Sequence, residues 1–340
     1  MINKKDLKFK RPDFVIFTDK DGTLNLNDEQ LNQILFLVKK EGGMIIPITG
    51  RTVGDIEESL RKANVTMPEF LIGDNGAVVY STQNKDFIFK KVLDIEKIKK
   101  IINRFIEVGG NKANIRLTDG ASIHAQDSMD VKRYYKGSKK VKYHENITED
   151  FLDVQGITKV TLAGTEEQMQ DIIELASKLD LWTDKDKTKF PTREQNNFRL
   201  DIAERNINKG EAVKALVSIL TPRFGYACIG NGFNDVAMFE QALKDGMRIG
   251  IMKGSPEELI QEMKEYAREH KGKVKIIPQD INLANRYIVR LINIFKTRKR
   301  TMNFKERLKF TPPNNIKAPK QNNSTPKTNT RRSRNRGRTR

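Results

Sequence analysis

The fold is decided by the stretch Val15-Ile16-Phe17-Thr18-Asp19-Lys20-Asp21-Gly22-Thr23-Leu24, in which an apolar run ends in two carboxylates and a glycine. The apolar residues do not alternate with polar ones, which favours a parallel strand covered on both faces. Residues two apart in an extended segment point the same way, so Asp19 and Asp21 can converge on one ligand at the carboxyl edge of a sheet. Two close carboxylates favour a divalent cation or a raised pKa on one of them, whereas the alternative is a turn with two solvated acids.

The pattern of strand, small polar loop and helix recurs along the chain, which predicts an α/β fold with a doubly wound, Rossmann-like parallel sheet as its core. Between about residues 83 and 198 the pattern becomes α+β, beginning with a strand at Phe87 to Phe89, and this predicts an inserted cap domain. The expected divisions are core at 1–82, cap at 83–198, core again at 199–296, and a tail at 297–340.

The tail carries most of the net charge of +19. From Lys296 to Arg340 there are 16 Lys or Arg residues and one acid, Glu306, whereas the rest of the chain is nearly balanced. Few apolar residues and several prolines predict disorder. Such a tail is either a solubilising appendage or a tether that binds RNA through phosphate without sequence preference.

The cysteine content and the hydropathy of the sequence indicate the cellular compartment to expect. The single cysteine, Cys228, excludes an intramolecular disulfide, and no apolar run approaches the length of a membrane span. Nothing near Met1 has the pattern of a signal peptide. We therefore expect a cytoplasmic protein.

Three further polar sites follow predicted strands. Thr49 with Gly50 offers a hydroxyl and a backbone amide for phosphate oxygens. Lys209 places a cation at a helix start that already favours anions. The loop Gly230-Asn231-Gly232-Phe233-Asn234-Asp235 presents oxygen ligands. Each signal alone is weak, but four at successive strand ends of one sheet indicate a phosphate site.

These residues carry a family resemblance. The segment 19–23, Thr49, Lys209 and the segment 230–235 resemble the four ordered motifs of the haloacid dehalogenase superfamily, and the insertion lies between the second and third motifs. That position, with Thr49-Gly50-Arg51, Asp74-Asn75-Gly76 and Ile157-Thr158-Lys159-Val160, resembles the Cof-like, sugar-phosphatase branch with a large α/β cap (type IIB-like). The resemblance covers about residues 14 to 296.

The resemblance implies a phosphatase that acts on a small phosphorylated metabolite, most simply a sugar phosphate. Asp19 would be the nucleophile that becomes an aspartyl phosphate, and Asp21 the general acid and base, with Lys209 as the third catalytic residue. Mg²⁺ would be held by Asp19, Asp21, Asn231 and Asp235. The expected substrate and phosphate ligands are Thr49, Gly50, Arg51, Asn75 and Asn234.

One position departs from the family pattern, because the family usually has Asp where this chain has Asn231. The site then loses a negative charge, and metal affinity falls unless Asp235 or Asp74 compensates. Because of this position and of the basic tail, two alternatives to the metabolite phosphatase stay open. One is a nucleic-acid-associated, RNA- or ribosome-binding protein built on a weakened phosphatase fold, and the other is a phosphatase that acts on nucleic-acid ends.

Overall fold

A computed structural model of the chain describes residues 9–21, 23, 28–188, 197–278 and 281–309. Gly22 and Leu24 of the opening stretch and residues 310–340 of the expected tail lie outside these ranges. The strands are β1 (Phe14–Asp19), β2 (Gly43–Ile48), β3 (Phe70–Gly73), β4 (Val78–Ser81), β5 (Asp86–Lys90), β6 (Ile115–Thr118), β7 (Ile123–Gln126), β8 (Val141–His144), β9 (Lys159–Gly164), β10 (Leu181–Thr188), β11 (Asn197–Glu204), β12 (Tyr226–Gly230), β13 (Arg248–Met252) and β14 (Lys273–Ile277). The helices are α1 (Asp28–Lys40), α2 (Val53–Lys62), α3 (Ile95–Glu107), α4 (Met129–Tyr134), α5 (Ile147–Asp150), α6 (Glu166–Lys178), α7 (Lys209–Leu220), α8 (Val236–Lys244), α9 (Glu257–Glu269) and α10 (Ile281–Lys309).

The larger sheet has eight strands in the order β14-β13-β12-β1-β2-β3-β4-β5. The pairings from β14 to β3 are parallel, and β4 and β5 add an antiparallel edge. In β1, Val15 and Phe17 pack into one buried cluster together with α7, α8 and α9. Phe14 and Ile16 pack into a second cluster together with α1 and α10. Helices on both faces of a mostly parallel sheet confirm the predicted α/β, doubly wound core.

The smaller sheet has six strands in the order β10-β11-β9-β6-β7-β8 and is antiparallel except for the β7–β8 pair. Its apolar side chains, among them Leu117, Val160 and Leu200, pack with α3 and α6 into a core of their own. Side chains alternate between the two faces of a strand, so the residues between these apolar ones point away from that core. They form a polar face.

The expected domain limits stay predictions, but three elements cross them. The strand around Phe87 to Phe89 is β5, which pairs with β4 in the larger sheet. β11 continues the smaller sheet to Glu204, beyond the expected limit at 198. α10 continues to Lys309, so residues 297–309 are helical where a disordered tail was expected. Across the described ranges, no helix is both long and apolar enough to cross a membrane.

Candidate active site

The loops after β1, β2, β3 and β12 meet at one edge of the larger sheet, because parallel strands bring their carboxyl ends together. The polar face of the smaller sheet lies opposite, and the two surround a cavity of about 740 Å³. Most of the predicted site residues line this cavity: Asp19, Asp21, Thr49, Gly50, Arg51, Asn75, Asn231 and Asn234.

The other two predicted residues, Lys209 and Asp235, are fully buried. Lys209 Nζ donates hydrogen bonds of 2.6 Å to Asp19 Oδ1 and of 2.6 Å to Asp235 Oδ1. Lys209 therefore joins two carboxylates inside the protein. It orients Asp19 from behind, at the wall of the cavity.

Charge and burial act against each other in this group. Burial raises the pKa of Asp19 to about 6, against the opposing effect of the Lys209 ammonium. Burial alone would lower the pKa of Lys209, but the carboxylates of Asp235 and Asp19 outweigh it and raise that pKa. The ammonium is held charged by its two acidic partners, and it compensates charge that would otherwise be costly to bury.

Asp235 also shapes the loop after β12. Its Oδ2 accepts hydrogen bonds from the backbone amides of Asn231 at 2.8 Å and Gly232 at 3.1 Å. A Cβ at Gly230 would lie 2.3 Å from this oxygen, so only glycine leaves room for the carboxylate. Both carboxylate oxygens of Asp235 are thus engaged within the protein, and they fix where Asn231 meets the cavity.

Asp21 and Arg51 form a bidentate pair at the mouth of the site. Arg51 Nη2 lies 2.6 Å from Asp21 Oδ1, and Nε lies 2.9 Å from Asp21 Oδ2. Arg51 also reaches Asp55 at 3.5 Å. Both side chains of the pair are about half exposed, at 45% for Arg51 and 51% for Asp21. Arg51 therefore binds the expected general acid directly.

A tight turn after β3 carries Asn75. Asp74, Asn75 and Gly76 have φ of 48°, 54° and 102°, three consecutive residues in the left-handed region. The backbone amide of Asn75 donates a hydrogen bond of 3.0 Å to the carbonyl oxygen of Thr49, which connects this turn to the loop after β2. A Cβ at Gly76 would lie 2.4 Å from the Asn208 carbonyl oxygen. The turn therefore also lets the start of α7, with Lys209, approach closely.

The opposite wall of the cavity consists of residues that the motif analysis did not single out as site residues. They come mainly from the smaller sheet and α4: Asn114, Arg116, Thr118, Ile123, Tyr134, Tyr135, Lys159, Thr161, Ala163, Arg199 and Asp201. One pattern in the sequence could have indicated this wall. Polar and apolar residues alternate strictly along 115–118, 159–162 and 198–202, which is typical of strands with one polar face.

Hydrogen bonds connect this wall to the larger sheet. Lys159 Nζ donates to the Gly50 carbonyl oxygen at 2.7 Å. The hydroxyls of Thr118 and Thr158 donate to Asp74 Oδ2 at 3.0 and 2.6 Å. Burial raises the pKa of Asp74, and Lys159 opposes that shift. The two sheets are thus tied together beside the loops that carry Gly50 and Asn75.

The donors at the Asp19 end of the cavity fit a magnesium ion. Asp19 and Asn231 line it with a carboxylate and an amide oxygen, and Mg²⁺ prefers such hard oxygen ligands, completed by water and substrate phosphate. The set is low in charge. Within residues 9–21, 23, 28–188, 197–278 and 281–309, no group of three or more His, Cys, Asp or Glu side chains is arranged to hold a metal ion.

Comparison with known families gives one match over most of the chain: the haloacid dehalogenase-like hydrolases, over residues 16–271. A relative from Bacillus subtilis (strain 168), the protein YxeH, is named as a candidate phosphatase. It is 25% identical over 258 residues, which cover 72% of this chain and 89% of the relative.

Solved structures share the fold. A haloacid dehalogenase-like hydrolase from Bacteroides thetaiotaomicron aligns with a TM-score of 0.62 and 19% identity, covering 82% of this chain and 98% of that chain. A protein from Thermotoga maritima aligns with a TM-score of 0.60 and 22% identity, covering 81% and 96%. A sugar phosphatase of subclass IIB aligns with a TM-score of 0.58 and 17% identity, covering 82% and 98%.

Proposed function

Because the chain belongs to the haloacid dehalogenase-like hydrolase family, we propose that it is a phosphatase that hydrolyses phosphomonoesters of small metabolites, with Asp19 as nucleophile. The observation that carries this proposal is the position of Asp19 at the cavity wall, with one oxygen held by buried Lys209. A similarity to a subclass IIB sugar phosphatase favours sugar phosphates as substrates.

In the first step, an Asp19 carboxylate oxygen attacks phosphorus, and the bond from phosphorus to the ester oxygen of the leaving group breaks. Lys209 fixes Oδ1 of Asp19, and the Thr23 hydroxyl lies 3.4 Å from Oδ2. The nucleophile is therefore oriented before substrate binds, which lowers the entropic part of the barrier.

The leaving oxygen takes its proton from Asp21, and Asp21 later removes a proton from the water that attacks the aspartyl phosphate. The second attack breaks the bond between phosphorus and Asp19 and releases phosphate. The bidentate pair with Arg51 holds Asp21 at the mouth of the site. Asp21 has to leave this pair, at least in part, to donate its proton to the substrate.

Thr49, Gly50, Asn75 and Asn234 contribute hydroxyl, amide and backbone groups that surround the transferring phosphoryl group, and Arg51 shares its positive charge with it. Positioning and charge neutralisation supply most of the catalysis in such transfers. Asp19, the Asp21 backbone carbonyl and Asn231 are the residues that would hold Mg²⁺. When bound, the ion neutralises phosphate charge and polarises the phosphorus–oxygen bonds.

The two nucleic-acid hypotheses are less favoured. Family membership and the cavity geometry point to hydrolysis of a small ester, whereas the RNA hypothesis depends on residues 297–340, of which 310–340 lie outside the described ranges. A cytoplasmic location stays an expectation.

The test is phosphate release from phosphorylated sugars, nucleotides and end-phosphorylated oligonucleotides, with and without Mg²⁺, by wild type, Asp19→Asn and Lys214→Met. Lys214 lies on the exposed side of α7, and its replacement serves as the control. We expect turnover of small esters by wild type and by the control, and its loss in Asp19→Asn. Turnover that persists in Asp19→Asn would contradict the proposal.

A further inference from the structure

The amino ends of the parallel strands form the edge of the larger sheet that lies opposite the candidate active site. The strands β14, β13, β12, β1, β2 and β3 are neighbours in that order, and adjacent strands lie about 4.8 Å apart, so this edge is about 24 Å wide. The amino edge is defined here as the segments that lead into these strands and the part of α10 that packs beside them: 10–13, 39–42, 66–69, 221–225, 244–248, 270–273 and 295–299.

Positive charge is concentrated at the amino edge. Its segments contain 12 Lys or Arg residues and four acids, whereas the rest of residues 1–299 contains 38 Lys or Arg residues and 39 acids. The excess positive charge of residues 1–299 therefore lies at one edge of one sheet.

The four acids of the amino edge are all engaged. Asp13 accepts a hydrogen bond of 2.7 Å from Lys299 and lies 3.9 Å from Arg223. Two further ion pairs join Glu41 to Lys296 at 3.0 Å and Glu69 to Lys39 at 3.2 Å, and Asp245 accepts from the Tyr226 hydroxyl at 2.6 Å.

Eight cations of the amino edge remain, among them Arg248, Lys273 and Arg298. None of these eight forms an ion pair with a residue in the ranges that the structure describes. The charge of the amino edge is therefore not compensated by its own acids.

Arg248 and Arg298 are the most closely placed of these cations. Arg248 is the first residue of β13, and its buried Nε has no hydrogen-bond partner among the described residues. Arg298 donates from Nη1 to the Phe224 carbonyl oxygen at 2.9 Å and lies 3.8 Å from Sδ of Met247, the neighbour of Arg248. Burial and the nearby Arg248 lower the pKa of Arg298. An anion bound here would relieve the repulsion between the two guanidinium groups.

Helix dipoles account for only part of this charge. The lysines in the last turns of α1 and α8 lie where the dipole favours cations. Arg11, Arg248 and Lys273 lie before or at the start of strands, and Arg298 lies within α10. No helix end explains these four residues, so a binding role is the better account of them.

The backbone of a nucleic acid fits this surface. Its phosphates lie about 3.4 Å apart along one strand of a duplex, so several of them face an edge about 24 Å wide. Guanidinium groups bind phosphate oxygens through two parallel hydrogen bonds.

A membrane surface is a weaker fit. Among the described residues, none of the large apolar side chains that are exposed lies in the amino-edge segments, so the edge lacks the apolar anchors of a membrane-binding surface. Beyond Lys299 the sequence continues with 13 Lys or Arg residues and one acid as far as Arg340, so the charge keeps the same sign. Both observations favour a hydrophilic polyanion.

We infer that the amino edge binds the phosphate backbone of a nucleic acid, with Arg248 and Arg298 at its centre. Contacts of this kind position a nucleic acid without reading its sequence. The inference goes beyond the proposed function and does not depend on it, because the amino edge and the cavity lie at opposite ends of the parallel strands. A nucleic acid bound at this edge leaves the cavity open to small substrates.

The test measures the binding of a fluorescein-labelled RNA of about 20 nucleotides, and of a DNA of the same sequence, by fluorescence anisotropy between about 50 and about 200 mM salt. Sedimentation with vesicles of phosphatidylserine and phosphatidylcholine is the membrane arm. All proteins are full-length, so the basic tail is the same in each of them. Thermal unfolding of each variant checks that it is folded.

The variants remove charge at matched sites. The edge variant carries three substitutions at exposed lysines of the amino edge: Lys244→Gln, Lys271→Gln and Lys273→Gln. The control variant removes the same charge from exposed positions on α3 and α6 of the smaller sheet: Lys99→Gln, Lys100→Gln and Lys178→Gln. A single variant, Arg248→Gln, tests the centre of the edge.

We expect RNA and DNA to bind wild type, with an affinity that falls steeply as salt rises. The edge variant should raise Kd by about tenfold or more at about 100 mM salt. It should also reduce the steepness of the plot of log binding constant against log salt concentration by about 2, because three phosphate contacts are lost. Arg248→Gln should also raise Kd, with no loss in melting temperature, because it removes a cation without an acid partner.

The control variant should change Kd by less than about threefold. Equal losses in the edge and control variants would show that net charge or the tail carries the binding, and this result would overturn the inference. Absence of binding to both nucleic acids, with or without binding to vesicles, would overturn it as well.

Discussion

Lys159, on a strand of the smaller sheet, donates a 2.7 Å hydrogen bond to the carbonyl oxygen of Gly50 in a loop of the larger sheet. The same ammonium contacts the Asp201 carboxylate at 3.3 Å, and both side chains are more than nine-tenths buried. One cation thus orders the loop expected to bind phosphate and compensates a buried acid. Lys159 of the smaller sheet therefore helps to form the site at the edge of the larger sheet.

Lys159→Met leaves Asp201 buried without its closest cation. Although burial opposes it, Lys159 and Arg199 lower the pKa of Asp201, so the charged carboxylate is more costly to bury once Lys159 is lost. We expect a loss of about 3 kcal/mol in the free energy of unfolding, measured by urea denaturation, and a lower kcat/KM. Lys214→Met, at an exposed ion pair, should lose less than about 1 kcal/mol. Equal losses in the two variants would contradict the role of Lys159.

A double variant separates the two functions of Lys159. Replacing both partners, as Lys159→Met with Asp201→Asn, removes the buried charge problem, so much of the stability should return. The hydrogen bond to Gly50 stays absent, so kcat/KM should stay low. Recovery of both properties together would show that Lys159 acts on stability alone.

Lys209→Met removes the ammonium between Asp19 and Asp235, and two buried carboxylates then face each other. We expect kcat/KM to fall by at least about 100-fold, because the nucleophile loses its orientation and its charge partner. Burial already raises the pKa of Asp19 and Lys209 opposes that shift, so the loss of the cation raises this pKa further, and Asp19 takes up a proton more readily in the folded than in the unfolded chain. Relative to wild type, the variant should therefore gain stability as pH falls from about 7.5 to about 5.5. A pH dependence identical to that of wild type would contradict the ion-pair account.

Asn231→Asp adds a carboxylate beside Asp19. Ligand charge sets divalent-cation affinity at oxygen sites, so we expect the Kd for Mg²⁺ to fall by about tenfold or more, measured by isothermal titration calorimetry without substrate. Asn234→Asp adds the same charge elsewhere on the loop and should have a smaller effect. An unchanged or weaker affinity in Asn231→Asp would show that residue 231 is not a metal ligand.

His144 is a second titratable side chain, and it lies beside His124 on the smaller sheet. His124 Nδ1 lies 2.9 Å from His144 Nε2, and Asp119 lies 3.1 Å from His124 Nε2. Burial and the neighbouring His124 lower the pKa of His144 from its ordinary value of 6.5. Asp150, at 3.9 Å from His144, opposes this shift, whereas Lys142 on the same strand adds to it.

The lowered pKa of His144 makes stability depend on pH, because the folded and unfolded chains then bind protons differently. Below about pH 6.5 the unfolded chain binds a proton on His144 that the folded chain resists, so stability is lost as pH falls. His144→Asn should flatten the decline in melting temperature between about pH 7.5 and about pH 5.5. An unchanged decline in His144→Asn would contradict the assignment.

The parallel core could be predicted from the sequence, because its strands are continuous apolar runs and the motifs lie where these runs end. Asp19 is the last residue of β1, Thr49 and Asn231 directly follow β2 and β12, and parallel strands bring such ends to one edge. The convergence of distant motifs on one cavity was therefore predictable from local patterns alone.

Other parts of the fold and of the cavity could not be predicted from the sequence, because they depend on tertiary structure. β8 and β10 lie at the edges of the smaller sheet. The polar sequence of β10, Leu181–Thr188, does not alternate as a typical strand does, and the segment forms a strand because pairing with β11 stabilises it. The helix α10 extends to Lys309, because Lys and Arg are good helix formers and the prolines on which the prediction of disorder was based begin only at Pro312. The cavity wall opposite Asp19, which includes Arg116, Lys159 and Arg199, comes from separate strands whose register no local pattern specifies.

Phosphate transfer through Asp19 can be tested by mass spectrometry of the enzyme after rapid acid quench during turnover. We expect a transient gain of one phosphoryl group on the peptide that contains Asp19, absent in Asp19→Asn and absent without substrate. Steady turnover without phosphoryl on that peptide, or with phosphoryl on another residue, would contradict it.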